Sequence, residues 1–441
     1  MPPLDYRIDQ FTLDNGLRVV VNEDHSVPTV AVNLWVGVGS RHEAPGKTGL
    51  AHLFEHLMFQ GSRNVASGEH FAVLMGQGGR LNATTWFDRT NFFETLPRGA
   101  YELALWMEAD RHGHLLDALT QENLDNQRDV VKEEKRQRYD NVPYGHALAT
   151  LCATAFPAGH PYHHPTIGSM EDLDSATLED VHAFFRRYYR PSNTVLTLVG
   201  DVGAGEGFEA AQRYFGWLED APVPQPDSSP PLGPLPGAVR VESDQVVPTA
   251  RLYFGFRLPV DNTPDYLAAA SALDIVGGLV TSRLDKRLVR SDEVAHSVSA
   301  GTMGLIDGNS LGTLAIEVVD AAGLTEVEDA VCAELVRFAA DGPTDVELET
   351  VRAQTERSWL SALAAMEDRA DYLGHFATLF EDPNGVNDYL DRAAAVGPRD
   401  VVAAARHWLT PDARATVAYP MVAAATVAGD DVAGSTAGQL Q

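Results

Sequence analysis

Cysteine is nearly absent from this 441-residue chain: only Cys152 and Cys332 occur, and neither lies in a zinc-thiolate spacing. A disulfide framework and a cysteine-built metal site are therefore both excluded. Basic residues are scarce, 33 Lys and Arg against 62 Asp and Glu, which leaves a formal net charge of -29. Nucleic acids and anionic membranes both demand basic surface, so neither is expected as a partner. No segment approaches the roughly 18 uninterrupted apolar residues of a membrane helix. The start, Met1-Pro2-Pro3-Leu4-Asp5, lacks a basic stretch followed by an apolar one. A soluble cytoplasmic protein is the expectation. No phosphate-binding glycine loop follows a strand, and no Gly-x-Ser-x-Gly elbow is present. A chain this long buries two or three cores, so more than one domain is expected.

Against these absences stands His52-Leu53-Phe54-Glu55-His56, set in an apolar run with Leu50, Leu57, Met58 and Phe59. Two histidines four apart on a helix project from one face, and Glu55 sits beside the second. A lone buried histidine is more often a hydrogen-bonded core residue than a ligand. Three ionisable groups on one buried helix are different, because their burial must be compensated. Zinc compensates it: two neutral imidazoles bind the ion, and a carboxylate outside the ligand set takes a proton from metal-bound water.

The chain in order reads as α+β. Asp14-Asn15-Gly16 marks a hairpin between strands at 11–13 and 17–21, and Val30 to Val36 is a third strand. Gly76 to Gly79 turn into the Thr-rich stretch Arg80 to Thr85, which reads as an edge strand pairing with Phe92 to Leu96. Helices are expected near 99–116, 121–139, 177–189 and 205–218, with a strand at 194–200. Residues 220–237 are rich in Pro and Ser and form an extended linker. Beyond it the chain repeats itself. Val27-Pro28-Thr29 recurs as Val247-Pro248-Thr249, and Asp180-Val181 before Pro191 recurs as Asp400-Val401 before Pro411, all at an offset of 220. The predicted organisation is a first domain at 1–219, the linker at 220–237, a second domain of like architecture at 238–425, and a flexible tail at 426–441. At the same offset the His52–His56 segment falls on Ala272 to Val276, which carries no histidine. Only the first domain is expected to hold metal.

A catalytic zinc site needs a third protein ligand and an open corner. Glu133 and Glu134, in Gln127-Arg128-Asp129-Val130-Val131-Lys132-Glu133-Glu134, are both candidates and point about 100° apart on a helix. The face shared with Gln127, Val130 and Val131 favours Glu134. Elsewhere, the prolines of Gly159-His160-Pro161-Tyr162-His163-His164-Pro165 favour a rigid loop over a second metal site. His112 and His114 do not share a helix face, and Asp110-Arg111 reads as a structural ion pair.

With His52, Glu55 and His56, the following Gly61-Ser62, Asn82-Ala83-Thr84, the Val130-Val131 helix and Gly159-His160-Pro161-Tyr162, the chain resembles the inverzincins. This is the family of pitrilysin, insulin-degrading enzyme and the mitochondrial processing peptidases, and the likeness is strongest to half-size bacterial members. The resemblance implies two homologous α/β-sandwich domains, each a mostly antiparallel sheet packed with helices, that form half of a clam-shaped chamber. It implies a zinc peptidase with one Zn2+ per chain, ligands His52, His56 and Glu134, and Glu55 as general base. Asn82, Ala83 and Thr84 then match an edge strand to which a substrate peptide adds in extended form. Two departures stand out. Gln127 occupies a place where many members carry a second glutamate, outside the ligand set. Members also contribute an Arg and a Tyr from the other half of the particle to hold the substrate carbonyl; Arg290 fits the Arg, but His296 stands where the Tyr is expected. A heterodimer with a zinc-free partner that has both residues is therefore favoured over a homodimer in which His296 substitutes. The alternative function is a non-catalytic structural or assembly subunit of the same fold, against which the intact His52, Glu55, His56 and Glu134 weigh.

Overall fold

The structure, a computed structural model, describes residues 4–223, 228–319 and 323–421. The expected tail at 426–441 lies outside them, as do residues 224–227 of the expected linker. In the first half the chain runs β1 (Asp9–Thr12), β2 (Arg18–Glu23), β3 (Thr29–Val36), α1 (Leu50–Leu57), α2 (Glu69–Gly76), β4 (Arg80–Thr85) and β5 (Thr90–Pro97). It continues through α3 (Tyr101–His114), α4 (Gln121–Lys135), α5 (Ala147–Ala155), α6 (Met170–Ser175), α7 (Leu178–Tyr188), β6 (Thr194–Gly200) and α8 (Ala204–Phe215). The second half begins β7 (Val239–Glu242), β8 (Ala250–Leu258), α9 (Pro264–Leu273), β9 (Ala295–Met303), β10 (Ser310–Val318) and α10 (Leu324–Asp341). It ends with α11 (Asp345–Ala364), α12 (Met366–Leu379), α13 (Gly385–Ala395), α14 (Pro398–Trp408) and β11 (Ala415–Tyr419). Helix α2 has no counterpart in the sequence reading. Its apolar residues lack a clean helical period, and Phe71, Val73 and Met75 are exposed.

The strands form two sheets, ordered β1-β2-β6-β3-β5-β4 and β7-β11-β8-β10-β9. In each, one pair is parallel (β2 with β6, β7 with β11) and the remaining pairs are antiparallel. The second order is the first without β1, strand for strand. The offset of 220 is kept to the residue in places: β5 begins at Thr90 and β10 at Ser310, α7 at Leu178 and α14 at Pro398.

Strands buried on both faces explain the near-continuous apolar runs. Along β3, Val30, Val32 and Leu34 pack on α3 and α8 through Tyr101, Leu105, Ala211 and Phe215. Ala31 and Trp35, pointing the other way, meet Leu373, Phe376 and Ala377 of α12. Gly374 makes this approach possible, because a Cβ there would lie 2.5 Å from Trp35 Cδ1. So the second half covers one face of the first sheet. The debt is returned by α5, whose Ala147 and Leu151 pack on Ala415, Val417 and Tyr419 of β11. Helices α5 and α12 begin about 220 residues apart, so each half lends the equivalent helix to the other. The remaining face of the second sheet packs on α9, α10 and α14 through Leu252, Phe254 and Phe256. Among the described residues no helix is long and apolar enough to cross a membrane.

Candidate metal centre

Helix α1 buries Leu50, Leu53, Phe54 and Leu57 against the body of the first half, which turns His52 and His56 toward α4. Its start is fixed by Gly49, at a φ of 90°, where a Cβ would meet the Ile167 carbonyl. Glu43 completes that end: its carboxylate accepts from the amides of Gly49 (3.0 Å) and Ala51 (2.8 Å). Free amides at a helix N-terminus favour such an anion. Sequence reasoning missed Glu43, because seven residues before the first residue of the helix is not a capping distance.

The His52 and His56 rings lie 4.8 Å apart and nearly perpendicular, at 81°. Their Nε2 atoms stand 3.8 and 3.4 Å from one Glu134 oxygen, Oε2. One donor atom from each residue falls within 4.8 Å of the other two. Burial, and then the neighbouring His56, push His52 down to about 4, so its imidazole is neutral and able to ligate. The hydrogen bond from His56 holds Glu134 below the usual carboxylate range. The other Glu134 oxygen accepts from Arg138 Nη1 at 2.8 Å, one turn onward.

The two candidate glutamates differ in exposure: Glu133 is 53% exposed and engages Arg136 and Gln137, whereas Glu134 is 17% exposed and faces the two histidines. The inward face of α4 is not quite the one expected. Leu124, Gln127 and Val131 are buried, but Val130 is 42% exposed. Val130 lies beyond Glu134 on the side away from Leu124, where the helix surface opens to solvent. Gln127 makes no side-chain hydrogen bond among the described residues, and His52 Nδ1 is buried without a partner.

Glu55 lies beside the trio rather than in it. Its Oε2 accepts from the Thr85 hydroxyl at 2.5 Å, and burial raises its pKa above the usual carboxylate range. The four residues line a groove of about 720 Å³ whose opposite wall is Asn82 to Thr85 of β4, with Phe59, Phe71, Trp86 and Tyr139 around it. Strand β4 ends its sheet and pairs only with β5, Ala83 opposite Phe92. The edge is not bare, however. The Ala83 amide donates to Asn82 Oδ1 at 2.9 Å, and Arg89 Nη1 donates to the Thr84 carbonyl at 2.9 Å. These side chains shield an edge that would otherwise pair with any strand. Arg89 is held in turn over the Trp35 ring, 4.9 Å from its centroid, and by Asn91 Oδ1 at 3.0 Å. Asn91 and Trp35 both donate to Asp371 of α12, so the second half helps to place the groove wall.

Arg290 and His296 are not brought to this groove. Arg290 pairs with Asp285 at 2.8 Å and donates to the Val280 carbonyl, and His296 is exposed on β9, the last strand of the second sheet. The loop at 159–165 is structural. The Tyr162 hydroxyl donates to Asp88 Oδ1 at 2.6 Å and accepts from the Asp307 amide at 2.9 Å, joining the β4–β5 hairpin to the β9–β10 hairpin. Asp110 and Arg111 do not pair with each other. Consecutive helix residues diverge, so Asp110 accepts from Ser62 and Asn64, while Arg111 pairs with Glu108. His70, Glu94 and Glu108 form a second group with ligand-like spacing, fully buried. Arg111, flanked by the Phe59 and Phe92 rings, supplies a fixed cation there, so this group is an internal charge cluster.

Comparison with known proteins follows the same lines. Residues 18–168 match the family described as insulinase (peptidase family M16), and residues 175–355 match its companion, the peptidase M16 inactive domain. The zinc protease PqqE of Helicobacter pylori is 29% identical over 420 residues, spanning 93% of this chain and 92% of that protein. A probable mitochondrial-processing peptidase subunit beta of Schizosaccharomyces pombe is 27% identical, over 82% of this chain and 80% of its own. The crystal structure of a protease from Helicobacter pylori superposes with a TM-score of 0.86 at 27% identity, covering 94% of this chain and 99% of that one. The periplasmic protease PqqL of Escherichia coli shares the fold (TM-score 0.76, 17% identity), with 95% of this chain covering 48% of that one. Paired sheets of one topology, a histidine–glutamate trio beside the first and, among the described residues, none beside the second, and these matches across both halves lead to one conclusion: the chain belongs to the M16 peptidase family.

Proposed function

We propose that the chain is a zinc-dependent endopeptidase or oligopeptidase that hydrolyses extended peptides inside a chamber formed by two half-shells. The observation that carries this reading is the convergence of His52, His56 and Glu134 on one point with Glu55 beside them. Two imidazoles and a carboxylate, with groove space for a fourth position, are a donor set that suits zinc. His52, His56 and Glu134 would hold one Zn2+ per chain, and the bound ion would supply Lewis acidity toward a carbonyl oxygen and water. Glu55, oriented by the Thr85 hydroxyl, takes a proton from the attacking water and delivers it to the leaving amine. The substrate adds along Asn82, Ala83 and Thr84 through main-chain hydrogen bonds, displacing the Asn82 and Arg89 side chains from the edge. Such binding reads backbone more than side chains.

In this reading residues 1–219 are the catalytic domain and residues 238–425 its metal-free counterpart. A heterodimer with a zinc-free chain of the same fold, carrying the Arg and Tyr, closes the chamber. Arg290 and His296, remote from this chain's own groove, then face the partner's half.

The test is a mixed peptide pool incubated with the purified protein and its partner, with and without a chelator. Fragments are expected without chelator and intact peptides with it, and added zinc should restore cleavage. Cleavage that survives chelation contradicts the mechanism, and its complete absence under all conditions favours a structural subunit.

A further inference from the structure

The second half repeats the first without its metal ligands: the residues 220 beyond His52, His56 and Glu134 are Ala272, Val276 and Gln354. Yet a cavity persists there. It holds about 460 Å³ between α9, α11, α12 and α13, and Gln354 lines it. Volumes of a few hundred Å³ are typical of small-molecule sites.

What lines the cavity is one-sided in chemistry. Asp261 and Asp274 both face it, and neither forms an ion pair among the described residues. Among the described residues Asp274 makes no side-chain hydrogen bond, and Asp261 accepts only from the amide of Asn262, at 2.6 Å. The nearest cation, Arg392, is bound to the side chain and carbonyl of Asn262. Gly278 leaves room for the Asp274 carboxylate, since a Cβ there would lie 2.5 Å from Oδ1. Burial pushes both aspartates up to about 6; at Asp261 the neighbouring Arg392 offsets part of the rise, whereas burial alone acts on Asp274.

The walls are aromatic. Trp359 packs with its ring centroid 4.5 Å from that of Tyr372 and 4.3 Å from that of Tyr389. The Trp359 N–H is already given to the Val386 carbonyl, and the Tyr266 hydroxyl to Thr302. The hydroxyls of Tyr372 and Tyr389 have no protein partner among the described residues. Nor has the ring of His375, a half-buried imidazole that desolvation pushes down to about 4 and so keeps neutral. Acceptors and ring faces converge, and among the described residues no Lys or Arg side chain lines the cavity.

We propose that this cavity binds an organic cation, a primary ammonium or guanidinium on a short aliphatic chain, with Asp261 and Asp274 as its counter-charges and Trp359, Tyr372 and Tyr389 as its wall. Carboxylates give such a group charge-assisted hydrogen bonds, and aromatic faces attract it electrostatically. The same chemistry is found on a free amine and on a Lys or Arg side chain of a peptide.

Calorimetric titration of the full chain with agmatine, with pentylamine, with 1-pentanol, and with an end-blocked peptide carrying one arginine tests this. Saturable binding of the amines, and none of the alcohol, is expected. Saturation by the peptide alone supports the site, with a basic side chain as the ligand, only where Asp274→Asn or Asp261→Asn weakens it; peptide binding that both variants keep belongs to the metal-centre groove and counts against the proposal. Asp274→Asn and Asp261→Asn keep the side-chain shape and should each weaken binding about tenfold or more, the size of one charge-assisted bond. His52→Ala should leave binding unchanged, which separates this cavity from the metal centre whatever the latter does. No saturable binding by any cation, or equal binding by the two Asn variants and the parent, would overturn the proposal.

Discussion

Glu55→Gln is expected to retain zinc at the parental level while peptide hydrolysis falls about 100- to 10,000-fold, the usual contribution of a positioned general base. The separation of the two effects follows from geometry. Glu55 is not one of the three converging donors, so its loss leaves the ligand atoms of His52, His56 and Glu134 in place. Glutamine preserves the oxygen that accepts from Thr85, so β4 and α1 should keep their spacing. What it removes is the capacity to hold a proton between water and the leaving amine. Steady-state hydrolysis of a fluorogenic peptide, read beside metal content, measures both. A variant that keeps its zinc and more than about a tenth of the parental rate would mean that proton transfer runs through another group.

The second large effect is expected from adding another chain. In the proposed reading a second chain supplies an Arg and a Tyr, because Arg290 of this chain is tied to Asp285 and Val280 and His296 sits on the edge strand of the second sheet, neither of them lining the groove. Donors that hold a developing oxyanion contribute about 100- to 1,000-fold each. The purified chain alone should therefore hydrolyse peptides slower by about that factor than the same chain mixed with a zinc-free partner that carries both residues. Full activity of the isolated chain would remove the need for a heterodimer: as a homodimer it would assign the role to His296 of the second copy, and as a monomer it would remove the role altogether.

Much of the site was legible because it is local. His52, Glu55 and His56 share one helical turn and a half, and helix geometry alone places two imidazoles together and the carboxylate beside them. Strand β4 was legible for a similar reason: a Thr-rich, polar run after a glycine turn cannot be a central strand. The repeat was visible because Val-Pro-Thr and Asp-Val mark matching ends of both halves, and the strand orders agree with it. What stayed hidden depends on chain brought from a distance. The Glu43 carboxylate caps α1 across a loop, and Asp371 of α12 orders Asn91 and Trp35 from the opposite half. The exchange of α5 and α12 between sheets leaves no trace in periodicity, since an apolar helix face does not say which sheet it meets. Val130 misled for a subtler reason. Forty degrees of helix surface separate it from Glu134, and the opening of the groove falls between them.

The central claim is that His52, His56 and Glu134 share one divalent ion. Elemental analysis of the purified chain beside His52→Ala, with thermal unfolding to show that both are folded, tests it most directly. About one zinc per parental chain is predicted, and close to none in the folded variant, because two remaining donors do not hold the ion tightly. A parental chain that stays metal-free when zinc is supplied, or a folded variant that binds it equally well, would contradict the assignment.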